Sequence, residues 1–193
     1  MLLNAEILQE KFDQGVSYAD FVASGRQEGH HPPWEQRYSL LKLDETQAAM
    51  VGGFTREMNV LSLTGTWCGD CALQGSAIAR IAEANPGRIH LRYLPRQEEH
   101  TDLILKSSIN AGFRVPVTWF LAEDFEPVVV FGDRTLSRYR AIARKQLGPE
   151  RANVSAPEPA DPVREVLREM LDIVERVQLM LALSARLREK HGD

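Results

Sequence analysis

Only two cysteines occur in the 193 residues, and they stand three positions apart, at 68 and 71. A bridge between them would close almost no loop, so it would stabilise a fold little through chain entropy. With no further cysteines, the chain does not read as a disulfide-stapled secreted scaffold. The pair is there for reactivity or for metal. Also missing are any basic block and any interleaving of aromatic with basic residues, and the formal net charge is -4. Neither nucleic acid nor an anionic membrane is expected as partner. No apolar run is long enough to span a bilayer. The opening residues, Met1-Leu2-Leu3-Asn4-Ala5-Glu6, lack the basic start and sustained apolar stretch of a secretory signal, so the expected location is the cytoplasm.

What is present, 44% hydrophobic and 26% charged residues, fits one globular domain with appendages. Four stretches are expected: an N-terminal helical extension over 1–54, an α/β domain over 55–149, a linker over 150–161 and an amphipathic helix over 162–193. In the first, Leu3, Ile7, Leu8 and Phe12 fall at helical spacing. Ser17 with Asp20 can cap a second helix, Pro33 suits the first turn of a third, and Asp44 can cap a fourth that ends at Gly52-Gly53. These helices are expected as scaffold over one side of a sheet.

Element types then alternate. Met58–Leu63 is a strand candidate, and Leu73, Ala77, Ile78, Ile81 and Ala82 make a helix that stops at Asn85-Pro86-Gly87. Ile89–Tyr93 reads as the next strand, which implies a parallel, right-handed βαβ unit. Thr101 can cap a helix ending near Gly112. Val117–Leu121 and Val128–Phe131 are separated by so few residues that they must form an antiparallel hairpin. Leu136, Tyr139, Ile142, Ala143 and Leu147 close the order β-α-β-α-β-β-α with a last helix.

The run Trp67-Cys68-Gly69-Asp70-Cys71 falls where the first strand hands over to a helix. The first helical turn offers unpaired backbone N–H groups and the positive end of the helix dipole. A thiolate placed there is stabilised, and the thiolate is the attacking species. Cys68, at the mouth of the turn, is therefore the expected nucleophile. Cys71, nearly one turn further in, can resolve the mixed disulfide. Gly69 and Asp70 tune the pair: a carboxylate here favours the helix and opposes the thiolate.

In this setting the motif resembles the thioredoxin superfamily, and in its W-C-x-D-C form the cytosolic thioredoxin-related subgroup, over roughly residues 56–147. The resemblance implies a thioredoxin-like α/β fold, a central mixed sheet flanked by helices, here with added N-terminal helices and a long C-terminal one. It implies no cofactor beyond the dithiol. It makes Pro116 the family's cis-proline and the Val115 backbone a hydrogen-bonding partner for extended substrate. Gly132 becomes the glycine that permits close approach of substrate. Trp67 is a packing shield or a substrate contact, and Arg114, two residues before Pro116, is either an inconsequential charge or a selectivity element. Where many thioredoxins bury an aspartate six residues before the nucleophile, this chain has Ser62.

Three functions compete. The first is a thiol–disulfide oxidoreductase that reduces protein or small-molecule disulfides with electrons from an upstream donor. The second is an interaction module that only senses redox state. The third is a metal carrier, whose two thiolates would have to recruit His90, His100 or His30-His31, because zinc takes four ligands. In the C-terminal helix, Val163, Leu167, Met170, Val174, Val177 and Leu181 recur at spacings of four and three. That stripe is expected to pack on the N-terminal helices or to pair with a second copy as a homodimer.

Overall fold

Seven consecutive buried residues, Met58–Thr64, form strand β1, the interior of the sheet. The computed structural model describes residues 3–152 and 154–193. Positions 1 and 2 of the expected N-terminal extension and position 153 of the expected linker lie outside the described residues. The strand order is β2-β1-β3-β4. β2 (Ile89–Pro95) runs parallel to β1 from Met58↔Ile89 to Thr64↔Pro95. β3 (Val117–Ala122) and β4 (Pro127–Gly132) follow as an antiparallel hairpin, with β3 against β1. Helix α5 (Gly69–Ala84) makes the parallel crossover, as the sequence implies.

The strand pleat sorts side chains onto two faces. Met58 and Val60 join a cluster with Ile78 and Ile81 of α5, while Leu61 and Leu63 point to the other side with Trp119 and Leu121. The N-terminal extension serves both faces, not one. α1 (Ala5–Gln14) packs Leu8 and Phe12 on the Leu61–Leu63 side. α2 (Tyr18–Ser24) and α3 (His31–Leu40) lie at the β2 edge, where Phe21, Val22 and Trp34 cluster with Tyr93, Ala72 and Cys71. Val16, between α1 and α2, bridges Tyr93 of β2 through two backbone hydrogen bonds of 2.9 Å. The caps are those the sequence offers. Ser17 accepts from the Asp20 N–H, and Asp44 with Gln47 forms a capping box on α4 (Glu45–Gly52).

Three further expectations are corrected. A one-turn 3-10 helix (Glu98–His100) precedes α6 (Thr101–Lys106), which starts at Thr101 instead of being capped by it and stops well before Gly112. Its last residue is followed by Ser107, whose hydroxyl turns back onto Leu103 O at 2.6 Å. Asn110 and Ala111 then take left-handed conformations, closed by reciprocal Ile109–Gly112 hydrogen bonds. The second correction concerns the linker, which is not free. It opens with a helical turn, α8 (Pro149–Ala152), and Arg144 near the end of α7 (Leu136–Leu147) donates to Ala156 O and lies 3.9 Å from Glu158. The third is that the C-terminal helix is two helices, α9 (Pro162–Ala182) and α10 (Ala185–His191). Ser184 caps the second through the Leu187 N–H.

Helix α9 packs mainly on α5, α7 and the β3–β4 hairpin, and Leu41 and Val51 of the extension are buried in the same cluster. Of the stripe that self-pairing would need, Leu167, Met170, Val174, Val177 and Leu181 are buried within the chain and Val163 is partly buried. Thr135 gives α7 no side-chain cap. Glu169 of α9 supplies one, accepting the Leu136 and Ser137 N–H groups at 2.7 and 2.9 Å.

Candidate active site

Cys68 is the N-cap of α5, and its sulfur accepts the Cys71 N–H at 3.2 Å. This is the interaction that the strand-to-helix placement promised. Cys68 is half-buried and Cys71 has no exposed surface; both are free thiols. The Cys71 side chain and backbone N–H, both bonding to the Cys68 sulfur, hold that thiol down at about 7, against burial and the Asp70 carboxylate, which push it up. Burial, and then the neighbouring Cys68, push Cys71 far above the ordinary thiol range. One sulfur is thus poised to attack, and the other stays protonated until the first is bound in a mixed disulfide. Iodoacetamide alkylation of Cys68 should therefore follow a single titration with its midpoint near pH 7, read by mass spectrometry. A midpoint at the ordinary thiol value would mean that the helix start does not stabilise the thiolate.

The Val115–Pro116 peptide bond is cis, and Val115 O lies 3.7 Å from the Cys68 sulfur. The Ile109–Gly112 turn delivers this segment to the start of β3, so the loop faces the dithiol. Gly132, at the end of β4, backs onto the same segment. A Cβ there would come within 2.9 Å of Pro116 O and of the Ile109 side chain. The chain's own loop occupies that close approach. Trp67 is 58% exposed, and its ring lies on Gly65, where a Cβ would sit 2.8 Å from the indole. Arg114 pairs with Asp133 at 3.2 Å. Ser62, in place of a buried carboxylate, shares a 3.0 Å hydrogen bond with Thr118.

Several neighbours carry no local signal in the sequence. Trp34 of α3, fully buried, donates its indole N–H to Thr66 O at 2.9 Å, and His30 Nδ1 lies 3.1 Å from the Thr66 hydroxyl. The extension thus holds the loop that delivers Cys68. Asp70 is gripped from α7 and the connection before it: Arg134 Nε to one oxygen and Arg138 Nε to the other, each at 2.7 Å. Asp133, almost fully buried, accepts from Arg134 at 3.0 Å and from the Tyr139 hydroxyl. Its carboxyl is held below the ordinary range, because the Tyr139, Arg114 and Arg134 contacts outweigh burial.

Among the described residues, no group of three or more His, Cys, Asp or Glu side chains is arranged to hold a metal. His100 is buried 3.5 Å from Lys11 of α1, and His30 is engaged with Thr66 and Glu28. No helix among the described residues is long and apolar enough to cross a membrane.

A protein-family model described as Thioredoxin matches residues 15–144. Among solved structures, the chain is similar to a protein of unknown function from Pseudomonas aeruginosa. The two share 19% identity with a TM-score of 0.59, over 90% of this chain and 99% of that one. It is also similar to an HIV epitope-scaffold, at 19% identity and a TM-score of 0.57, over 85% of this chain and 96% of that one. At such identities these likenesses concern the fold alone. A search of curated proteins found no match.

Proposed function

The chain belongs to the thioredoxin family, and from that premise we propose that it is a thiol–disulfide oxidoreductase working through Cys68 and Cys71. The observation that carries the proposal is the Cys68 sulfur at the N-cap of α5, bonded to the Cys71 N–H and facing the cis Val115–Pro116 segment. The Cys68 thiolate attacks one sulfur of a substrate disulfide, and the other sulfur leaves as a thiolate. Cys71 then gives up its proton and attacks the Cys68 sulfur. The substrate is released as a dithiol, and a Cys68–Cys71 disulfide holds the two-electron deficit. An upstream reductant returns two electrons and two protons to restore the dithiol.

Substrate lies along Val115 and Pro116, with Trp67 at its edge and Arg114 within reach of an acidic side chain. Gly132 lets the Pro116 loop sit close to the sheet end. The W-C-G-D-C sequence supports placing the protein with the cytosolic thioredoxin-related subgroup, acting as a reductant in the cytoplasm. Asp70, which opposes the thiolate, argues against a strongly oxidising pair. The test is insulin-disulfide reduction with dithiothreitol as donor, beside partner trapping in cell extract by the Cys71→Ser variant. Turnover, with mixed disulfides that retain Cys68, is expected. No turnover and no adduct from a folded protein would overturn the proposal, and would favour the interaction-module alternative.

A further inference from the structure

Asp70 stands between two cysteines whose chemistry a negative charge should hinder, and its side chain is only 11% exposed. A carboxylate so placed raises the energy of a thiolate two residues away, and partial burial strengthens that effect. Yet both of its oxygens are taken by guanidinium Nε groups at 2.7 Å, from Arg134 and Arg138. Arg134 is shared with Asp133 at 3.0 Å and lies 5.8 Å over the Tyr139 ring. Asp133 in turn takes Arg114, from the loop that presents Pro116. The ionic chain therefore runs from the start of α5 to the cis-proline segment, and it holds three cations to two anions.

We propose that Arg134 and Arg138 are positioning residues of the dithiol: by neutralising Asp70 they set the fraction of Cys68 that is thiolate. This rests on the exchange reading above and deepens it. A guanidinium fork fixes both the charge and the place of the carboxylate, which a mobile lysine would do less well. Cys68 itself meets the Cys71 N–H and Val115 O, with Asp70 as the charge that bears on it. The remaining charged groups reach it through Asp70: Arg134 and Arg138 directly, and Asp133 with Arg114 through Arg134. Of these, the pair on Asp70 is the arrangement that offsets a carboxylate lying between the two sulfurs. The motif's aspartate then serves as an anchor for α7, without the full electrostatic penalty on the nucleophile.

The experiment measures Cys68 alkylation against pH in the full chain, which reads the thiolate directly and does not require turnover. In Arg134→Gln/Arg138→Gln, the rate at pH 6, below the midpoint, should fall about tenfold, the equivalent of one unit, with the midpoint moving up. Adding Asp70→Asn to the double variant should restore the wild-type profile. If the double variant does not fold, Arg138→Gln alone should slow alkylation about threefold and be rescued by Asp70→Asn in the same way. An unchanged profile in the arginine variants would overturn the proposal. So would a triple variant as slow as the double one, since the arginines would then be acting through packing. If the variants show these shifts while the folded wild-type protein fails to reduce insulin, that would count against the exchange reading alone.

Discussion

Disulfide reduction by the Cys68→Ser variant is expected to fall to the rate of the dithiol donor alone, because the attacking thiolate is gone. A serine hydroxyl at the same N-cap would still satisfy the Cys71 N–H, because serine is a good cap. The fold should therefore survive while the nucleophile is lost. Cys71 cannot take over, since it has no exposed surface and its thiol is pushed far above the ordinary range by burial. Cys71→Ser differs in kind: it keeps the attacking thiolate and loses the resolving sulfur, so it should stall as a mixed disulfide after one half-reaction. Insulin reduction with each variant, together with non-reducing electrophoresis of the trapped species, separates the two cases. Adducts carried by Cys71 in the Cys68→Ser protein would reverse the roles.

The placement from which those roles are argued was legible because it is local. A short apolar strand, a tight turn with Gly65, and an amphipathic run stopped at Asn85-Pro86 fix where helix α5 begins, and hence which cysteine caps it. The hairpin and its preceding Val115-Pro116 were legible for the same reason. What the sequence does not carry are partners brought together from far apart along the chain. Trp34 reaches Thr66 across 32 positions, Arg138 reaches Asp70 across 68, and no pattern near either residue points to the other. The early end of α6 escaped for another reason: the apolar periodicity runs on to Ile109, and the left-handed turn beyond it uses Asn110 and Ala111 instead of glycine. In α9 the stripe announces that a face is buried, and only the completed sheet decides against what.

Removing α9 is expected to abolish the cooperative fold, not merely to loosen the C-terminus. The helix buries Val166, Leu167, Met170, Leu171, Val174, Val177 and Leu181 against the Met58–Val60 face of the sheet and the Ile78–Ile81 stripe of α5. At about 1.5–3 kcal/mol for each fully buried side chain, their loss is of the same size as the roughly 5–15 kcal/mol that holds a typical domain together. Two polar connections go with it. Gln178 exchanges hydrogen bonds with the Arg56 backbone at 2.9 and 3.4 Å, and Glu169 caps α7. The second connection matters for the dithiol, because α7 carries the Arg138 that grips Asp70. A chain ending at residue 160 should show no cooperative thermal transition by circular dichroism and should bind hydrophobic dye. Met170→Ala in the full chain should keep the transition and lower it, by about 2–5 kcal/mol for a core methionine. Leu179→Ser, at a position 56% exposed on the opposite side, should leave it within about 0.5 kcal/mol. A shortened chain that melted cooperatively within a few degrees of the full protein would show that α9 is an appendage, and that the sheet face it covers is stable without it.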